Sequence, residues 1–123
     1  MYTRRKHPRF PVSGSAVIKT GKDKVEFPGQ IEMFSKRGMG IFTDVSIERG
    51  TPITLEVNIY TGPDSEKTSL TATVKNFSEW GEKGLLGVEF DQEISAKFEP
   101  LLNEYLCQLE KEFITEYGRD QTE

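Results

Sequence analysis

Arg5 and Arg9 stand four residues apart in "RRKHPRFP", with Pro8 between them and Pro11 just beyond. A guanidinium is planar and always charged. It forks onto phosphate oxygens or onto O6 and N7 of guanine, and it stacks on flat rings. Proline fixes its own φ and biases the residue before it to extended backbone. Two arginines on so stiff a segment suit a ligand that carries both phosphate and purine, and Arg4 precedes the pair. A second group lies in "MFSKRG", residues 33–38, between two strand-like runs. Ser35 offers a hydroxyl donor and acceptor at a strand end, and Gly38 allows a tight or left-handed turn.

Other chemistry finds little support. His7 is the only histidine, so a histidine cluster for a metal is impossible. Cys107 lies between Leu106 and Gln108 with no cysteine or histidine nearby in sequence, which leaves zinc unsupported. As a nucleophile it needs a base, and nothing places His7 beside it. There is no phosphate-binding P-loop and no GxGxxG between a strand and a helix. The 20 acids read as a solvated face rather than paired catalysts. The expectation is a protein that is not an enzyme and has no cofactor. One cysteine gives no internal disulfide. No apolar run approaches the ~20 residues that span a bilayer, and the basic start lacks the apolar stretch of a signal peptide. The chain reads as soluble and cytoplasmic, without a membrane partner.

Charge sets the basic start apart. Before Asp23 there are bases at Arg4, Arg5, Lys6, Arg9, Lys19 and Lys22 and no acid, while the chain as a whole carries −4. The rest must then carry −10. Such asymmetry points to an anionic partner for the basic end, against the plainer reading of a solvated tail.

The elements that must position these groups are mostly strands. "SAVIKT" (15–20), short and β-branched, "KVEFPGQIEMF" (24–34), "GMGIFTD" (38–44), "ITLEVNIY" (53–60), "SLTATVKNF" (69–77) and "LLGVEF" (85–90) read as strands, and 24–34, 53–60 and 69–77 alternate apolar and polar residues. Pro28-Gly29 reads as a bulge or kink. "ERGTPI", "TGPDSEK" (61–67) and "WGEKG" (80–84) read as turns or loops. After them Phe98, Leu101, Leu102, Tyr105, Leu109 and Phe113 recur at helical spacing. Pro100 suits a helix start, Gly118 a stop, and "EISAKF" a short separate turn. The layout at 123 residues is one domain: a basic segment 1–12, a small barrel or sandwich over 13–92, and a C-terminal helical segment over 95–118 whose stripe is core.

Taken together, these pieces resemble the PilZ domain, the bacterial receptor module for cyclic di-GMP. Its RxxxR segment matches Arg5 and Arg9 in "RKHPR", and its (D/N)xSxxG segment aligns on "MFSKRG" at Ser35 and Gly38. "ERGTPITLEV" and "GLLGVEF" look like further parts of the family, and the resemblance covers roughly residues 4 to 110. It implies a mainly β fold, a six-stranded antiparallel barrel with a C-terminal helix. It also implies that Arg5 and Arg9 grip guanine and phosphate, that Ser35 bonds the nucleotide and that Gly38 shapes the turn. Arg4 would go with a stacked nucleotide pair. Family members can place an aromatic at the start of the last hairpin near the ligand, and the resemblance implies that place for Trp80, where an indole stacks on a purine or an arginine; its plainer role is a barrel-edge residue.

One position departs from the pattern. Met33 stands where the family has Asp or Asn, and thioether sulfur is a poor acceptor. Glu32 is adjacent, but strand alternation sends it to the opposite face, and only a bulge makes it a substitute. Three readings follow. The first is a cyclic di-GMP receptor that docks on an unidentified protein partner; residues 93–123, with eight acids and three bases, offer a docking face. The second is a PilZ-like adapter that has lost the nucleotide through Met33 and binds only protein. The third, a barrel for single-stranded nucleic acid, is disfavoured by a pI near 5.2, so neither DNA nor RNA is expected as partner.

Overall fold

The computed structural model describes residues 8–21 and 25–121, with the side chains of Trp80 and of residues 113–121 outside that description. Seven strands precede one helix: β1 (Phe10–Pro11), β2 (Gly14–Thr20), β3 (Val25–Phe34), β4 (Gly38–Thr43), β5 (Pro52–Tyr60), β6 (Ser65–Trp80), β7 (Lys83–Phe90) and α1 (Pro100–Gln121). The antiparallel order β3-β2-β5-β6-β7-β4 returns to β3, which closes a six-stranded barrel. Strand β1 lies outside the ring, pairing Phe10 with Phe34 and Pro11 with Met33. Closure leaves few open sheet edges to manage.

Alternation decides what faces inward. Ile53, Leu55, Val57 and Ile59 of β5 are all buried, as are Leu86, Val88 and Phe90 of β7. Phe34 and Phe90 meet edge to face with centroids 6.1 Å apart, a favoured aromatic geometry.

Three local expectations change. The ladder between β2 and β3 runs unbroken through Pro28 and Gly29, paired with Val17 and Ala16. No bulge forms there, because the bare glycine fits against the Ile41 methyl and the Pro28 carbonyl accepts a hydrogen bond from Thr43 Oγ1. The bulge in β3 falls instead between Ile31 and Met33. Strand β6 is also far longer than 69–77. It starts at Ser65, which pairs with Tyr60, and ends at Trp80, which pairs with Lys83. Cross-strand pairing overrides the breaker-rich sequence, and the turn shrinks to Gly81 and Glu82, with Gly81 at φ +64°.

The helix begins at Pro100, and residues 95–98 form a separate turn in which the Ser95 hydroxyl accepts from the amides of Lys97 and Phe98. It continues through Gly118 to Gln121. Leu102 and Leu106 are buried in the core, whereas Leu101 is 57% exposed. One residue of helix is about 100° of rotation, which turns Leu101 away from the face of Leu102. Glu99 caps the start with φ +62°. Its carbonyl accepts from Asn103 N and its carboxylate from Thr68 Oγ1 at 3.0 Å, tying the helix start to β6.

Tyr105 packs half-buried against the core. Burial, and then the Glu112 charge, push its phenol above the ordinary tyrosine value. A folded pKa raised above the unfolded one adds stability that is complete below the unfolded pKa and lost as pH rises through the folded one. Stability is therefore expected to fall above about pH 10. Tyr105→Phe is expected to flatten that alkaline limb in melts followed against pH; an unchanged limb would show that other groups drive it.

Candidate functional site

The site is built on the outer faces of four neighbouring strands, β3, β4, β7 and β6. In β4, Met39, Ile41 and Thr43 point inward, so Gly38, Gly40 and Phe42 face out. In β7 the outward set is Leu85, Gly87 and Glu89. Gly40 and Gly87 are direct cross-strand partners. Two glycines side by side leave a bare stretch of backbone as a floor. Around it lies a shallow pocket of about 190 Å³, lined by Arg9, Glu32, Met33, Ser35, Arg37, Lys75, Asn76 and Glu89 among others.

The loop from Ser35 to Gly38 forms one wall. The Ser35 hydroxyl accepts from the amides of Arg37 (3.2 Å) and Gly38 (3.1 Å) and donates to the Gly38 carbonyl (3.3 Å). Its one donor and two acceptor sites are thus all engaged, which makes Ser35 the organiser of the turn. The turn is fastened from outside as well: Phe90 N donates to Arg37 O at 2.7 Å and Ile94 N to Lys36 O at 2.9 Å. Gly38 is required for a reason other than left-handed backbone. It opens β4, and a Cβ there would strike the Val88 carbonyl of β7.

Arg9 reaches the pocket because the next residue is anchored. Phe10 is buried, 7% exposed, and sits beside Phe34. Arg4 and Arg5 lie outside the described residues. Trp80 closes β6 at the hairpin turn, and its side chain is likewise outside the description.

Five lining residues were not singled out from the sequence as site residues: Arg37, Lys75, Asn76, Glu89 and Glu32. Arg37 lies 3.4 Å from Glu89 and 3.8 Å from Glu93, and Lys75 lies 3.4 Å from Glu89. All are well exposed, so these pairs are screened and individually weak; their effect is to hold two cations at the pocket rim. Glu32 corrects the alternation argument. Ile31 and Phe34 both point into the barrel, and the bulge between them leaves Glu32 and Met33 on the same outer side. Strand β6 repeats the device: Val74 is buried, Phe77 packs against the core, and a register shift between Val74 and Asn76 leaves Lys75 and Asn76 exposed. The signal was present as "IEMF" and "VKNF", each with apolar residues three apart where strict alternation wants two.

Among the described residues there is no cluster of metal-ligating side chains, and no helix is long and apolar enough to cross a membrane. The site has cations, carboxylates, an amide and exposed backbone on the wall of a small closed barrel, which is the make-up of a binding module for a polar, anionic ligand. The chain belongs to the PilZ domain family, whose model matches residues 3–108. No curated protein matches it in sequence.

Solved structures share the fold. The Bacillus subtilis inhibitor of motility, MotI/DgrA, superposes with a TM-score of 0.73 at 15% identity, over 90% of this chain and 53% of its own. The PilZ domain of YcgR from Escherichia coli, solved with c-di-GMP, gives 0.66 at 16% identity, over 94% and 98%. The K. pneumonia MrkH–c-di-GMP complex gives 0.63 at 14%, over 97% and 56%. The chain thus spans about half the length of MotI/DgrA and MrkH.

Proposed function

We propose that the protein is a receptor for cyclic di-GMP that signals by docking on a protein partner and catalyses no reaction. The observation that carries this reading is that Arg9 and the Ser35–Gly38 loop line one cation-rimmed pocket on a PilZ barrel. Relatives of the same fold were solved with c-di-GMP, which supports the choice of ligand.

Each residue has a role in that reading. Arg5 and Arg9 neutralise the two phosphates and reach guanine, and Arg4 recruits a second, stacked nucleotide. Gly38 lets the loop turn directly into β4. Ser35 bonds the nucleotide by giving up one of its present partners, and Trp80 offers a ring for stacking. The link to output runs through the loop's carbonyls, since those of Lys36 and Arg37 are held by Ile94 and Phe90, at the start of the segment that leads to α1. The acidic C-terminal segment is the docking face.

Calorimetric titration with cyclic di-GMP tests the reading. Saturable binding is expected, and Arg9→Ala should weaken it about ten- to a hundredfold, the worth of charge-assisted bonds to phosphate. Stoichiometry in Arg4→Ala reports on the second nucleotide. Absence of heat and of competition at high ligand concentration would favour the adapter reading, in which Met33 at the acceptor position has ended nucleotide binding.

A further inference from the structure

We propose that Glu32 and Asn76, delivered by two opposed β-bulges onto the bare Gly40–Gly87 floor, read the base edge of a bound guanine; the inference rests on the receptor reading above. Position 33 carries a methionine and cannot supply an anionic acceptor. The residue beside it can, because the bulge re-aims it. A Cβ built on Gly40 would lie 3.1 Å from Glu32 Oε1, so the carboxylate hangs directly over that glycine. A Cβ on Gly87 would lie 2.6 Å from Asn76 Oδ1 and 3.1 Å from its Nδ2, so the amide hangs over the partner glycine. Gly40 and Gly87 are paired across β4 and β7. An acceptor-only group and a donor–acceptor group therefore converge from opposite sides on one patch of open backbone.

Neither side chain is committed elsewhere: no hydrogen bond or ion pair joins the Glu32 carboxylate or the Asn76 amide to another described residue. That sets them apart from Glu89, which is shared between Arg37 and Lys75. Guanine fits the pair. Its N1–H and 2-amino group are adjacent donors that match the two oxygens of a carboxylate, and its O6 accepts from an amide. Adenine, which presents no such pair of donors, would leave the carboxylate desolvated and unmatched. Discrimination of that kind comes from the unpaired group as much as from the bond made.

The test compares cyclic di-GMP with its inosine analogue, which lacks the 2-amino groups but keeps O6, on the full chain. The wild type is expected to prefer the guanine ligand by about tenfold or more. Glu32→Ala is expected to weaken cyclic di-GMP about ten- to a hundredfold and to abolish the preference, whereas Asn76→Ala weakens both ligands alike. Adding Met33→Asp to Glu32→Ala should restore the preference, and Glu32→Gln, which keeps the side chain's size, carries the same comparison if the alanine variant does not fold. Cyclic di-GMP binding with an unchanged guanine-to-inosine ratio in Glu32→Ala overturns the inference and leaves the receptor standing. Failure of the wild type to bind either ligand overturns both.

Discussion

Phe34→Ala is expected to lower folding stability by about 3–5 kcal/mol, the usual loss for a fully buried aromatic. Phe34 has no solvent exposure. It meets Phe90 edge to face, pairs with Phe10 of β1 and with Met39 of β4, and immediately precedes Ser35. Its removal opens a cavity where β1, β3, β4 and β7 meet. Small domains hold only about 5–15 kcal/mol in all, so the variant stands close to unfolding at ambient temperature. Urea denaturation followed by circular dichroism measures the loss. A cost below about 1 kcal/mol would mean that the site collapses freely around the hole, which contradicts the packing described here. Phe10 and Arg9 are expected to loosen with it, so ligand affinity should fall even where the variant is still folded.

Gly38→Ala is expected to be the more instructive change, because it adds one methyl group. That methyl would meet the Val88 backbone carbonyl, and a strand backbone held in register from Gly38–Glu89 to Thr43–Gly84 yields little. Overpacking of this kind costs about 1–3 kcal/mol. The strain falls on the first pair of the β4–β7 ladder and on the turn that Ser35 organises. The expected result is a lowered thermal midpoint together with weakened cyclic di-GMP binding. Gly50→Ala is the control. It meets no atom within 4 Å but has φ +91°, so its cost is conformational, about 1–2 kcal/mol, and lies away from the pocket. Equal ligand affinity in Gly38→Ala and wild type would show that the loop tolerates displacement of β4.

Much of this was legible in the sequence for a physical reason. Strands with one buried face must alternate, and β5 does so without exception. The helix declared itself through spacing, although Leu101, which the spacing counts in the stripe beside Leu102, faces away from it. What alternation hides is its own interruption. At Glu32 and Lys75 an extra residue is inserted, and from that point the inward set shifts by one. A reader who extends the period through the bulge puts Glu32 on the wrong face. Pro28-Gly29 misled in the other direction, since both are common at bulges, yet here the ladder runs through them. The sequence argues for Gly38 through its backbone freedom, whereas the structure needs its missing side chain. A close approach between two strands far apart in sequence cannot be read from either strand alone. For the same reason Gly40 and Gly87 carried no signal: "GMG" and "GLLG" become a floor only when paired.

The pairing of β4 with β7 has a bearing on how the chain folds. Most ladders here join neighbours in sequence, and hairpins of that kind form early and locally. Joining Gly38 to Glu89 closes a long loop, and its entropy must be met before the contact gives any return. The floor of the pocket straddles that seam, so it does not exist in any species where β4 and β7 are still unpaired. A ligand held there recognises only the closed state and draws the population toward it by mass action. On the receptor reading proposed above, the nucleotide would then act late in folding as well as in signalling, and its concentration would be read in the rate at which the barrel comes undone.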